Sequence, residues 1–254
     1  QAAMKTYFGE DCNSYSVRTF RDAMEAIEEG AADYAVLPIE NSTAGAVNEV
    51  YDLLVEFENY IVGEVIIPIT HTLAGLPGTQ LSELKRVYSK AEALMQTTRF
   101  LEEHSDWQQI SVANTAIAAK KILDDQDRTQ AAVCSAYAAK VYGLEVLEDN
   151  INDESGNCTR FIIVTNQKVF LKGAKKISIC FEVPHESGSL YHLLSHFIYN
   201  DLNMSKIESR PIEGRSWEYR FFVDFEGNLE EPGVKNALRG LREESRSLKI
   251  LGNY

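Results

Sequence analysis

Residues 175–254 switch between two hydrophobic periods in an order that few folds accept. Ile177, Ile179, Phe181 and Val183 alternate with a period of two, the pattern of a strand with one buried face. Leu190, Leu193, Leu194, Phe197 and Ile198 then recur at i, i+3, i+4, i+7 and i+8, which places them on one side of a helix. A second strand is predicted over 204–212. Trp217, Tyr219, Phe221, Val223 and Phe225 alternate through a third, closed by a turn at Glu226, Gly227 and Asn228. Pro232 opens a helix carrying Val234, Ala237, Leu238 and Leu241, and 248–251 is a last strand. The resulting order, βαββαβ, is the ferredoxin-like arrangement.

Ahead of this region, strand-like and helix-like patterns alternate. Strands are predicted over 35–37, 60–69, 86–89, 110–113, 131–134 and 161–164, with helices over 18–28, 43–58, 92–104, 115–124 and 135–142. That order implies open α/β sheets, and two of modest size fit the length better than one large sheet. A bilobal design places a ligand in the cleft between lobes, where loops leave the carboxyl ends of strands. Residues 166–174 are expected to link this part to the βαββαβ segment.

The net charge of -13 is unevenly placed. Residues 1–174 hold 14 Lys and Arg against 26 Asp and Glu, whereas residues 175–254 hold 11 against 12. Nucleic acid and anionic membrane surfaces need a cationic footprint, so neither is expected as a partner. A small anion bound by the first part must be held by local donors, such as helix N-termini and single arginines. With 44% hydrophobic and 25% charged residues the composition is that of a soluble globular protein. Its longest apolar run is broken by Glu64 and ends at Pro68, too short for a membrane span. Cys12, Cys134, Cys158 and Cys180 lack CxxC spacing, which points to reduced thiols in a cytoplasmic setting. His192 and His196 are four apart on a helix but lack HExxH context, so no metal is expected. Gly63, Gly75 and Gly78 form neither GxGxxG nor a P-loop, and no nucleotide cofactor is expected.

Two polar segments stand out because they abut apolar strands. Asn157-Cys158-Thr159-Arg160-Phe161 puts a hydroxyl, a guanidinium and an aromatic ring at the mouth of the strand over 161–164. Such junctions hold polar groups in fixed geometry. Pro38-Ile39-Glu40-Asn41-Ser42 lies between a strand and a helix, where Ser42 or Thr43 can cap the helix. Capping does not explain Glu40 and Asn41, which are costly beside a buried strand unless they bond to something.

Taken together, these segments resemble prephenate dehydratases across nearly the whole chain. The family's Pro-Ile-Glu-Asn-Ser segment is matched by residues 38–42, its Thr-Arg-Phe signature by 159–161, and the Tyr-Gly-Leu-Glu-Val-Leu lead-in by 142–147. The region 175–254 resembles the ACT regulatory domain, with Gly188-Ser189-Leu190 before its first helix and Lys206-Ile207-Glu208-Ser209-Arg210-Pro211 on its second strand. The resemblance implies a periplasmic-binding-protein-like catalytic domain at 1–168 followed by the ACT domain at 175–254. It also extends to the dehydratase part of bifunctional chorismate mutase/prephenate dehydratases. In the family the chain opens with a strand and a Gly-containing turn, and Gln1 resembles the residue just after them. That first strand is therefore expected to be missing here.

The implied reaction converts prephenate to phenylpyruvate, water and carbon dioxide without metal or cofactor. Thr159 is expected to donate a hydrogen bond or proton to the departing hydroxyl, with Asn41 and Gln96 as its catalytic companions. Arg160 is expected to anchor a carboxylate or brace its loop, Phe161 to line the ring pocket, and Glu40, Ser42 and Ser89 to meet the substrate. Ser89 and Gln96 match a family segment whose intervening His, Pro and Gln are replaced here by Lys90, Ala91 and Glu92. The ACT resemblance implies feedback inhibition by phenylalanine, bound by Gly188, Ser189, Leu190, Glu208, Ser209, Arg210 and Pro211 at the interface of a homodimer or homotetramer. Arogenate differs from prephenate only in a side-chain amino group and is the alternative substrate. A catalytically silent sensor of aromatic ligands is the alternative from another class, and Thr159 with Asn41 and Gln96 favours the enzyme.

Overall fold

The computed structural model describes residues 2–254, in which the chain divides into two compact units. One runs to Ile67 and resumes at Thr159–Tyr254; the other is Pro68–Cys158. Gln1, expected to follow the family's first strand and turn, lies outside the described residues.

The first unit opens with α1 (Ala2–Phe8), a helix the sequence pattern did not predict, then α2 (Phe20–Glu28). Thr19 starts α2 by a capping box: its hydroxyl accepts from the Asp22 N–H, and the Asp22 carboxylate accepts from the Thr19 N–H, both at 3.0 Å. Strands β1 (Ala35–Asn41) and β2 (Gly45–Ala46), helix α3 (Asn48–Glu56) and strand β3 (Tyr60–Pro68) follow. The helix predicted from 43 therefore begins at Asn48. Gly45 sits at φ +82°, and the chain turns back there to pair Asn41 with Gly45 and Glu40 with Ala46. A hairpin at 41–46 excludes a helix over the same residues, so Ser42 and Thr43 cap nothing.

The second unit carries β4 (Thr72–Gly75), β5 (Arg86–Ser89), α4 (Ala91–Met95), α5 (Thr98–Glu102), β6 (Gln108–Ser111), α6 (Thr115–Asp125), β7 (Gln130–Cys134), α7 (Ala136–Val141) and β8 (Glu145–Glu148). Its five strands form one sheet in the order β6-β5-β7-β4-β8. The single helix predicted over 92–104 is two. The Thr97 hydroxyl bonds back to the carbonyl of Ala93 at 2.9 Å, and the Asp153 carboxylate takes the N–H groups of Thr98 and Arg99 at 2.9 and 2.8 Å. That carboxylate restarts the helix as an N-cap would, from a residue far along the chain. Both faces of the sheet are covered. One side is unusually fine-grained, with Ala74, Ala118, Ala119, Ala132, Ala138 and Ala139 all buried together. Small side chains let helices approach the strands closely.

The chain then returns to the first unit as β9 (Cys158–Thr165), β10 (Lys176–Glu182), α8 (Ser189–Tyr199), β11 (Met204–Pro211), β12 (Tyr219–Glu226), α9 (Pro232–Glu244) and β13 (Ser247–Asn253). The last six elements realise the predicted βαββαβ order. Their strands do not stand apart: one eight-stranded sheet runs β11-β12-β10-β13-β3-β9-β1-β2. The seam is a parallel bridge between Gly252 and Ile61. A Cβ on Gly252 would overlap the Ile61 carbonyl, so only glycine allows this approach. One face of the C-terminal strands, with Ile177, Phe181 and Phe225, packs on Phe197 of α8 and Leu241 of α9. The other face packs Cys180, Phe222 and Leu251 into the core built by α2, α3 and β1. The rings of Tyr51 and Phe222 meet edge-on there, with centroids 4.8 Å apart. Lys249 of β13 donates to the carbonyls of Leu54 and Phe57 at 3.2 and 3.0 Å, closing the C-terminus of α3.

Candidate active site

Strands β1 and β9 run antiparallel, and their register sets Glu40 opposite Arg160 and Asn41 opposite Thr159. Neighbouring residues of a strand point to opposite faces, so the two pairs serve different sides of the sheet. On one side the Asn41 amide donates to the Thr159 hydroxyl at 3.0 Å, and Thr159 is buried to 9% exposure. The amide cannot be reversed. Its oxygen accepts from the N–H groups of Thr43 and Ala44 at 3.0 and 2.9 Å and from the Thr43 hydroxyl at 2.7 Å, which only an acceptor can do. Asn41 thus organises the turn after β1 and spends its N–H on Thr159. Accepting that bond leaves the Thr159 proton available to donate. Phe161, two residues on, faces the same side.

On the other side the Arg160 guanidinium lies among three carboxylates. It meets Asp224 at 2.7 Å and Glu64 at 3.3 Å through Nη1, and Nε stands 3.5 Å from Glu40 without a hydrogen bond. Lys206 reaches Glu40 at 2.6 Å and Lys176 pairs with Glu64. Three cations therefore face these three carboxylates, and Lys206 also stands 3.7 Å from a fourth, Glu208. Ser178 donates to Asp224 at 2.6 Å and so must accept from the Tyr254 hydroxyl at 2.8 Å. Burial alone would lower the Arg160 pKa, but the charge and hydrogen bond of Asp224 outweigh it and hold the group charged. Burial, reinforced by the Asp224 charge, pushes the Tyr254 phenol well above its ordinary 10.0, and the phenol stays neutral. Arg160 was expected to anchor a carboxylate or brace its loop; its contacts are those of a brace, and its carboxylates come from the protein itself.

In the second unit, Gln96 stands where α4 ends. Its carboxamide oxygen accepts from the Asn157 amide at 3.1 Å and faces His71 Nε2 at 2.9 Å. With that oxygen an acceptor, the bond calls for the His71 tautomer carrying its proton on Nε2. His71 is held in turn: its N–H donates to Asn152 at 2.6 Å, and its carbonyl accepts from Ile151 at 3.0 Å. Neither His71 nor Asn157 was given a role from the sequence. The available signal was a histidine between two threonines, just ahead of Leu73 and Ala74, both fully buried. Ser89, expected to meet substrate, is fully buried and donates to the Val133 carbonyl at 2.6 Å. Its hydroxyl ties β5 to β7. Lys90 and Glu92, which replace the family's residues, pair with each other on the surface at 2.6 Å.

The expected effector residues separate into two groups. Gly188, Ser189 and Leu190 line a groove of about 450 Å³ shared with Trp217 and Tyr219. Glu208 and Arg210 lie on the less exposed face of β11 together with Lys206, while Ser209 and Pro211 are on its exposed face. Arg210 grips Asp52 of α3 with two hydrogen bonds at 3.0 and 2.6 Å. None of the four lines the groove.

A family model described as prephenate dehydratase matches residues 1–169. A protein of Aquifex aeolicus named bifunctional chorismate mutase/prephenate dehydratase is 39% identical over 256 residues, covering 100% of this chain and 69% of that protein. The Arabidopsis thaliana protein named arogenate dehydratase/prephenate dehydratase 6, chloroplastic, is 36% identical over 270 residues, covering 100% of this chain and 65% of its own length. Among solved structures, prephenate dehydratase in complex with L-Phe from Arthrobacter aurescens superposes with a TM-score of 0.90 at 32% identity, covering 100% of this chain and 85% of that one.

Proposed function

The chain belongs to the prephenate dehydratase family, and on that premise we propose how its residues carry the reaction. It is a lyase that converts prephenate to phenylpyruvate, water and carbon dioxide in phenylalanine synthesis. As the ring carboxylate leaves as carbon dioxide, its bonding pair enters the ring. The ring C–O bond breaks at the same carbon framework, and one proton turns the departing hydroxide into water. Aromatisation supplies the driving force, so the enzyme has to orient a dianion and assist the leaving group.

Thr159 supplies that hydrogen bond or proton, and the Asn41–Thr159 contact is the observation that carries this reading. An unassisted threonine is a poor acid. The Asn41 N–H on its oxygen stabilises negative charge there and makes the Thr159 proton easier to give. Phe161, on the same face, lines the ring, and Ser42 and Gln96 offer polar groups to the substrate. Ser89 is fully buried, and Glu40 and Arg160 lie on the opposite face of the strand pair from Thr159, so these three act behind this layer.

Residues 175–254 form a regulatory ACT domain that binds phenylalanine, and the protein works as a cytoplasmic homodimer or homotetramer. The βαββαβ order, the groove beside Gly188 and the L-Phe in the Arthrobacter aurescens complex support regulation. Tyr191, Ile198 and Tyr199 leave α8 with an exposed apolar face that suits a second copy. The four cysteines are free thiols, and no helix among the described residues is long and apolar enough to cross a membrane. Regulation requires phenylalanine to prefer one of two arrangements, with a coupling of about 1–3 kcal/mol.

Arogenate is the second substrate to test, on the strength of the Arabidopsis relative's name. Mixing the protein with prephenate and with arogenate, and following phenylpyruvate and phenylalanine, separates the two. Binding with no turnover of either substrate would overturn the catalytic reading.

A further inference from the structure

The ionic cluster behind Thr159 has no part in the chemistry above, yet it spans six strands. Glu40 comes from β1, Glu64 from β3, Arg160 from β9, Lys176 from β10, Lys206 from β11 and Asp224 from β12. Building on the dehydratase reading, we propose that Arg160 is a positioning residue, and that Asp224, by holding it, lets the C-terminal strands set where Thr159 stands.

Two adjoining cross-strand pairs carry the coupling. Asn41 and Thr159 form the reacting pair, and Glu40 and Arg160, one residue away on each strand, form the pair beneath. Because the backbone links them directly, displacing Arg160 moves the Thr159 Cα and changes the 3.0 Å contact to Asn41. Arg160 is only 13% exposed at its side chain and Asp224 11%, so their bond is screened little by water. Removing one partner leaves a charge in a poorly solvated place, and the remaining group must move to find another. Lys206 repeats the device on Glu40 from β11, the strand whose Arg210 also grips Asp52. A ligand that shifts β11 or β12 therefore acts on both members of the lower pair.

The test measures kcat and KM for prephenate in the full chain, with and without saturating phenylalanine, for Asp224→Asn, Arg160→Lys, Arg160→Gln and the double variant Asp224→Asn/Arg160→Gln. Asparagine keeps an oxygen for the Ser178 hydroxyl, and thermal midpoints check that each variant is folded. Asp224→Asn is expected to lower kcat about tenfold with KM within about twofold, and to weaken phenylalanine inhibition at least about threefold. Arg160→Gln should cost at least as much, Arg160→Lys should recover part of the loss, and the double variant should be no worse than Arg160→Gln. A KM raised about tenfold or more with kcat retained in Arg160→Gln makes it a substrate anchor and overturns the proposal. So does an additive double variant, or wild-type kcat and inhibition in Asp224→Asn. If the wild-type chain turns over no prephenate, it is the activity reading that falls. Amide exchange at Asn41 and Thr159 then decides the coupling: about tenfold faster exchange in Asp224→Asn supports it, and equal exchange overturns it.

Discussion

The Thr159 cluster and the Gln96 cluster solve the same problem with different materials. Thr159 rests on a strand pair whose far side is locked by six charges. Gln96 rests at a helix end, where its neutral carboxamide is held by an imidazole and a second amide. Charged bonds are stronger, and they fail badly when one member is lost. Neutral bonds cost less to break and are local in effect. The charged arrangement suits a group whose position has to answer to distant strands of the same sheet. The neutral one suits a wall that only has to stay in place.

Thr159→Val removes the hydroxyl proposed to assist the leaving group while keeping a β-branched strand residue. It should lower kcat by about 10²–10⁴-fold with KM and thermal midpoint nearly unchanged. A near-normal rate would remove Thr159 from its role. Asn41→Ala takes away both the hydrogen bond to Thr159 and the turn after β1, so a kcat loss of about 10²-fold should come with a lower thermal midpoint. If the rate falls without any loss of stability, the turn is held by something other than Asn41. His71→Ala in the neutral cluster should cost about tenfold in kcat/KM, the size of one lost hydrogen bond, and His71→Asn should restore part of it. An effect as large as that of Thr159→Val would erase the contrast between the clusters.

Acid separates charged from neutral bonds directly. Glu182 on β10 meets Arg220 at 2.7 Å and Arg215 at 2.8 Å. Burial alone would raise its pKa, but the hydrogen bonds and charges of the two arginines outweigh it and depress it below the ordinary 4.5. A depressed folded-state pKa stabilises the fold above the unfolded value, and that stability disappears as pH falls from about 4.5 through the folded value. Glu182→Gln should therefore lower stability at neutral pH and flatten its decline below that point, as read by denaturant unfolding at several pH values. A parallel decline in wild type and variant would contradict the assignment. The smallest effect belongs to Lys90→Ala: its exposed pair with Glu92 should change stability by less than about 0.5 kcal/mol.

The elements with strong periodicity were legible in the sequence. The alternation from Ile177 to Val183 and the spacing from Leu190 to Ile198 depend on which residues face a core, and β10 and α8 follow them closely. What escaped was set by distant groups. Asp153 breaks the helix predicted over 92–104, and nothing near Thr98 announces it. Strands β4 and β8 are short, with little room for alternation to show. At the site, residue types were readable but partners were not. Arg160 looks the same in sequence whether it meets a substrate or Asp224, 64 residues further on. Gln96 and Asn41 were legible through the family resemblance, whereas His71 needed the fold to bring it beside Gln96.

The ionic cluster behind Thr159 also fixes what the approaching substrate feels. With Glu208 included its carboxylates outnumber its cations by one, so it adds no long-range pull on an anion, while the whole chain carries a net charge of -13. A dianion drifting in from solution is repelled by the molecule as a whole and attracted only at close range. Added neutral salt screens that repulsion beyond about 10 Å at 0.1 M ionic strength. Encounter with substrate should therefore quicken as ionic strength rises, the opposite of an enzyme that draws its anion in by a positive surface.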